Sequence, residues 1–128
     1  MGFGYLGHAF ATFITSREAR FKIAAIFDRS ASAIGQSWQG ITVHDISEME
    51  RIVHDAGCNI GVLAVPANAA QKSAERLAAC GIRAIMNFAP APLHLRAPLI
   101  VRNVDLAGEM SILTHHLSID AAGAEAGA

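Results

Sequence analysis

The chain has 128 residues, 52% apolar and 16% charged, with a formal net charge of −1. That is the size and make-up of one globular domain with a core of its own, which excludes a disordered chain. It also lacks a basic stripe to neutralise nucleic-acid phosphates, an apolar run near the roughly 20 residues of a membrane span, and the n-region and cleavage motif of a signal peptide.

The first ten residues read "MGFGYLGHAF". Gly2, Gly4 and Gly7 stand in G-x-G-x-x-G spacing, which makes Gly2, Phe3, Gly4, Tyr5, Leu6 and Gly7 candidates to cradle a dinucleotide pyrophosphate. The pattern needs a strand before it and a helix after it. A helix follows, because Leu6, Ala9, Phe10, Phe13 and Ile14 recur on one helical stripe. Only Met1 precedes the first glycine, so the strand is expected to be missing and the reading frame to be a fragment or to start upstream.

"FKIAAIFD" (21–28) is a nearly continuous apolar run with the character of a strand buried on both faces. It ends at Asp28, 21 residues after Gly7, where a dinucleotide fold places the acid that holds the adenosine ribose. Arg29 beside it is either a solvent-facing charge or a reader of a 2′-phosphate. Asp28 would repel that phosphate, so the pair favours NAD(H) over NADP(H). "SASAIGQSWQG" reads as loop and "ITV" as a short strand.

"SEME" (47–50) reads as a capping box opening a helix, with Gly57 as its stop. "NIGVLAVP" (59–66) is a second buried strand ended by Pro66. Asn68 with Gln71 reads as the next helix start, and Gly81 as that helix's end. In a doubly wound sheet the end of this strand borders the crevice where the strand order reverses, so Val65 and Pro66 are candidates to touch ribose or nicotinamide. "IRAIMNF" (82–88) is a third strand, whose Asn87 either contacts a ligand or ties down a turn. "LIVRNV" (99–104) is the last strand. Asp105 then caps a helix over about 105–117 with Leu106, Met110, Leu113 and Leu117 on one stripe. The tail, 120–128, reads as disordered.

Strands alternating with helices predict an α/β domain over 1–119 with a doubly wound, mostly parallel sheet. In the order 3-2-1-4-5-6 the missing strand lies between "KIAAIF" and "IGVLAV". Its loss opens a gap of about twice the usual strand spacing, and for these residues alone it predicts weak nucleotide affinity and poor solubility. Cys58 and Cys80 form no C-x-x-C and read as reduced thiols of a cytosolic protein. The histidines make no metal site. No residue pattern suggests a nucleophile or an acid–base pair, so the domain is expected to bind a nucleotide rather than to act as an enzyme.

"VPANAAQKSAERLAACGIRAIMNFAPAPL" followed by "IVRNVDLAGEMSIL" resembles the redox-sensing transcriptional repressor Rex. The resemblance implies a Rossmann NAD(H)-binding domain with a C-terminal helix exchanged between the protomers of a cytoplasmic homodimer. It further implies operator DNA bound through a winged-helix domain that these residues do not contain, and repression tuned by the NADH/NAD⁺ ratio. Carried over, Gly2 to Gly7 match the glycine loop, Asp28 the adenosine-side acid, and Asp105 the aspartate that reaches the partner protomer's nicotinamide pocket. Many members have a tyrosine at the position of Phe13, and Phe13 offers no hydroxyl to pair with Asp105. The alternatives left open are a fragment of a small NAD-dependent oxidoreductase and a stand-alone CoA-binding Rossmann domain.

Overall fold

The structure is a computed structural model describing residues 11–16, 20–96 and 98–127, with side chains described as far as residue 119. The glycine loop and most of the first helical stripe lie outside the described residues. Residues 11–16 are helical (α1). After them come β1 (Ile26–Asp28), β2 (Ser37–Trp38), β3 (Ile41–Asp45), α2 (Met49–Ala56), β4 (Ile60–Leu63), α3 (Ala67–Ala79), β5 (Ala84–Asn87), β6 (Ile100–Asn103) and α4 (Leu106–Gly127).

Among the described residues the strands form two three-stranded sheets, β1-β3-β2 and β4-β5-β6. β1 runs parallel to β3, and β4, β5 and β6 run parallel to one another. No described ladder joins β1 to β4, the place where the doubly wound order puts a central strand. One core nonetheless spans both sheets. Phe27 and Ile46 on one side join Leu63 and Ile85 on the other through Met49 of α2 and Leu77 of α3. Gly61 lets β4 lie close under α3, since a Cβ there would come within 2.8 Å of Leu77 Cδ1.

Several local features differ from the sequence reading. Residues 21–25 were expected in the first strand, yet β1 starts at Ile26. Its parallel register begins at Ile26 opposite Val43, and the earlier residues pair with no strand among the described residues. The stretch read as loop contains β2, which pairs antiparallel with β3 across Gln39 and Gly40. Their φ values of 47° and 82° make the two-residue turn whose twist suits a hairpin.

The helix starts also move. Asp45, rather than Ser47, supplies the cap: its side chain accepts the Ser47 N–H at 2.9 Å, leading through a 3-10 turn, Ile46–Glu48, into α2. That bond and one from the Ser47 side chain hold the Asp45 carboxyl below its usual range. α3 begins directly behind Pro66, whose φ of −60° is already helical, with no side-chain cap from Asn68. Both glycine stops hold, with φ of 65° at Gly57 and 89° at Gly81.

α4 runs on to Gly127 instead of ending near Leu117. The Ala-rich segment read as a disordered tail continues the helix, in keeping with alanine's high helix propensity. The α4 stripe does not pack on this chain's own sheets: Met110 is 63% exposed, Leu113 58% and Leu117 69%.

Candidate nucleotide-binding site

The site is built where two strands end. At the end of β1, Asp28 Oδ1 accepts the backbone N–H groups of Arg29 at 2.6 Å and of Ser30 at 3.1 Å. This local turn stops the strand and fixes the carboxylate at its carboxyl end. At the end of β4, residues 64–66 lead into α3, where the Ala69 N–H bonds the Pro66 carbonyl at 3.0 Å. The first turn of α3 has neither a capping side chain nor an acidic residue of its own, so the positive end of its dipole faces the cleft.

Between these ends lies a cleft of about 490 Å³. Asp28, Arg29 and Ser30 line one side, and Val65, Pro66 and Asn68 the other. Ile46, which follows β3, and Ser73, one turn into α3 from Ala69, complete the wall. The parallel register of Asp28 with Asp45 is what carries Ile46 to this position. The cleft therefore combines one carboxylate, a strip of apolar surface and small polar groups at the ends of parallel strands, an arrangement suited to a nucleoside: a diol for the acid and a flat base for the apolar strip.

Asp28, Val65 and Pro66 are thus brought together on one cleft. Asn87 is not. It is 1% exposed and its amide is fully engaged: Nδ2 donates to Ala91 O at 3.1 Å and to Asn103 Oδ1 at 3.0 Å, and Oδ1 accepts the Ala89 N–H at 3.0 Å. Its work is to tie down the turn after β5. Asp105 also lies outside the cleft lining. It caps α4, taking the Gly108 N–H at 2.8 Å, and Gly108 allows this because a Cβ there would sit 2.7 Å from Asp105 Cγ. Gly2 to Gly7 lie outside the described residues. The reading missed Ile46 and Ser73, which come from elements remote in sequence and carry no motif of their own.

The family model "CoA binding domain" matches residues 1–91. The chain belongs to the CoA-binding domain family. Within that family its relatives are redox-sensing repressors. This chain is 42% identical over 118 residues to the redox-sensing transcriptional repressor Rex 1 of Thermotoga maritima, covering 91% of this chain and 56% of the relative. It is 41% identical over 116 residues to Rex of Streptomyces coelicolor, covering 91% of this chain and 45% of that one. The domain spans about half the length of the curated relatives it matches.

Among solved structures, the Rex-family repressor RSP in complex with β-NADH superposes with a TM-score of 0.86 at 29% identity, over 97% of this chain and 60% of that one. RSP with β-NAD⁺ and operator DNA gives the same score and identity, over 57% of its chain. The domain is a homologue of the Rex repressors and has their Rossmann-type α/β fold. No helix among its described residues is long and apolar enough to cross a membrane.

Proposed function

We propose that this chain is the NAD(H)-sensing and dimerising module of a Rex-type redox repressor, cytoplasmic and not an enzyme. One observation carries the reading: Asp28 and the Val65–Pro66 pair, 37 positions apart in sequence, line one cleft at the carboxyl ends of two parallel strands. Asp28 would hold the adenosine ribose, the apolar strip with Val65 and Pro66 would take the flat and ribose surfaces, and Gly2 to Gly7 would meet the pyrophosphate. When bound, the cofactor supplies a redox-dependent shape and charge at its nicotinamide end. The protein's part is to orient it.

A regulatory rather than catalytic role is supported by the relatives, which are transcriptional repressors. Homodimerisation is supported by α4, whose apolar stripe has no cover from its own chain. Asp105 at the start of that helix would travel with it toward a partner's nicotinamide pocket. Operator DNA would be engaged through a winged-helix domain; that a repressor of this kind binds operator DNA is supported by the complex of RSP.

Calorimetric titration of the chain with NADH, NAD⁺ and CoA tests the reading. NADH binding clearly tighter than NAD⁺, with CoA silent, is the expected outcome. CoA binding without NADH binding would replace it by a CoA module.

A further inference from the structure

The nucleotide cleft adjoins a second cavity of about 370 Å³, and the two share Arg29, Ile46 and Ser73 as a common wall. Ser73 is the polar side chain buried in that wall, 4% exposed. A hydroxyl inside a helix commonly turns back onto the preceding turn. Thr15 does so onto Ala11 O at 2.8 Å, and Thr114 onto Met110 O at 3.0 Å. Ser73 Oγ makes no hydrogen bond among the described residues. None of their side-chain oxygens or nitrogens is both unpaired and sealed in, so the Ser73 hydroxyl is open to the cavities it lines.

A buried hydroxyl that the fold leaves unbonded is a group set to meet a ligand, because few precisely placed polar atoms orient what a cleft holds. Asp28 lines the first cavity and not the second. With the ribose at Asp28, the base is one glycosidic bond further on and reaches the shared wall. We propose that this wall seats the purine base of the bound dinucleotide, and that Ser73 Oγ is the hydrogen-bonding group that reads the base's edge. The proposal rests on the nucleotide reading above. Ile46, buried and apolar, takes one face of the ring, and the planar guanidinium of Arg29 stacks on the other. An uncharged ring also suits a cavity whose far side carries both signs. There Arg76 is held by Glu50 at 2.9 Å, and Glu75 accepts the Gln71 amide at 2.9 Å.

The test is titration of the unaltered chain and Ser73→Ala with NADH and with ADP-ribose, which keeps the adenosine and lacks the nicotinamide. Ser73→Ala should weaken both ligands by the same factor, about three- to tenfold. It should not lower the melting temperature, because the hydroxyl has no protein partner to lose. In the NADH complex of the unaltered chain, the adenine H2 and H8 protons should show nuclear Overhauser contacts to the Ile46 methyl groups. NADH affinity that Ser73→Ala leaves unmoved, a loss confined to NADH, or a lowered melt overturns the role of Ser73. Nicotinamide protons at Ile46 in place of adenine protons, or no contact there in a saturated complex, overturns the base pocket, as does ADP-ribose failing to bind where NADH saturates. If NADH itself does not bind the unaltered chain, the nucleotide reading falls and the base pocket goes with it.

Discussion

Gln71 grips the backbone of His94 on both of its hydrogen-bonding groups: Nε2 donates to the His94 carbonyl at 2.8 Å and Oε1 accepts the His94 N–H at 2.9 Å. One side chain of α3 thereby acts as a strand neighbour to the proline-bearing loop after β5, and holds that loop beside the helix whose first turn borders the cleft. Gln71→Ala removes both bonds, each worth about 0.5–1.5 kcal/mol net. The expected result is faster amide exchange around His94 with little change in the melting of α2. Unchanged exchange at 93–95 would show that the loop is held by other contacts.

Asp28 is expected to supply ribose affinity rather than stability. Asp28→Asn keeps the side-chain oxygen that its two local N–H donors need but removes the charge. Charge-assisted hydrogen bonds are worth roughly 1.5–3 kcal/mol, so NADH should weaken by about tenfold or more. Calorimetry on a variant with an unshifted melt checks this.

Asp105 caps α4 by taking an otherwise unpaired N–H of its first turn. Asp105→Ala should cost the helix about 1 kcal/mol. Because α4 is exposed, the loss should appear as reduced helicity by circular dichroism and faster exchange at 106–110, with the core melt unmoved.

The α4 stripe is expected to self-associate. Leu113 and Leu117 are more than half exposed, and two glutamates at these positions would keep the helix while charging its apolar face. Sedimentation velocity should find the unaltered chain as a dimer and Leu113→Glu/Leu117→Glu as a monomer. A unaltered chain that sediments as a monomer would remove dimerisation from the proposed function.

The Glu50–Arg76 pair joins α2 to α3. The Arg76 hydrogen bond holds the Glu50 carboxyl below its ordinary 4.5. A carboxyl with a lowered folded value binds fewer protons folded than unfolded. Its stabilisation is therefore complete above the ordinary value and is lost as pH falls through the folded one. The pair is exposed, so the amount at stake is roughly 0.2–1 kcal/mol. Melting temperatures of the unaltered chain and Glu50→Gln should differ at neutral pH and converge under acid conditions.

Much of this was legible from residue patterns with a physical cause. The apolar runs 21–28, 59–66 and 82–88 each contain a strand, β1, β4 and β5, because a strand covered on both faces tolerates little polarity. The glycine stops at 57 and 81 were legible because left-handed backbone favours glycine. The β2–β3 hairpin was not, since Gln39 takes a turn position where asparagine or aspartate would have been the signal. Capping residues misled for a related reason: Ser47 and Asn68 fit the pattern, but Asp45 and Pro66 reach the helix start first. Asp28 and Val65–Pro66 could be placed together because strand order alone says which ends meet. Asn87 could not be settled, since its role depends on Asn103, across the sheet and 16 residues away.

The account's central claim is that reduced nicotinamide nucleotide binds across the carboxyl ends of β1 and β4. Deuterium uptake of the chain with and without saturating NADH tests it most directly. The account predicts slowed exchange at residues 28–30 and 64–69, with α2 unaffected. Uptake that stays the same at both strand ends, or protection confined to another part of the chain, would contradict it.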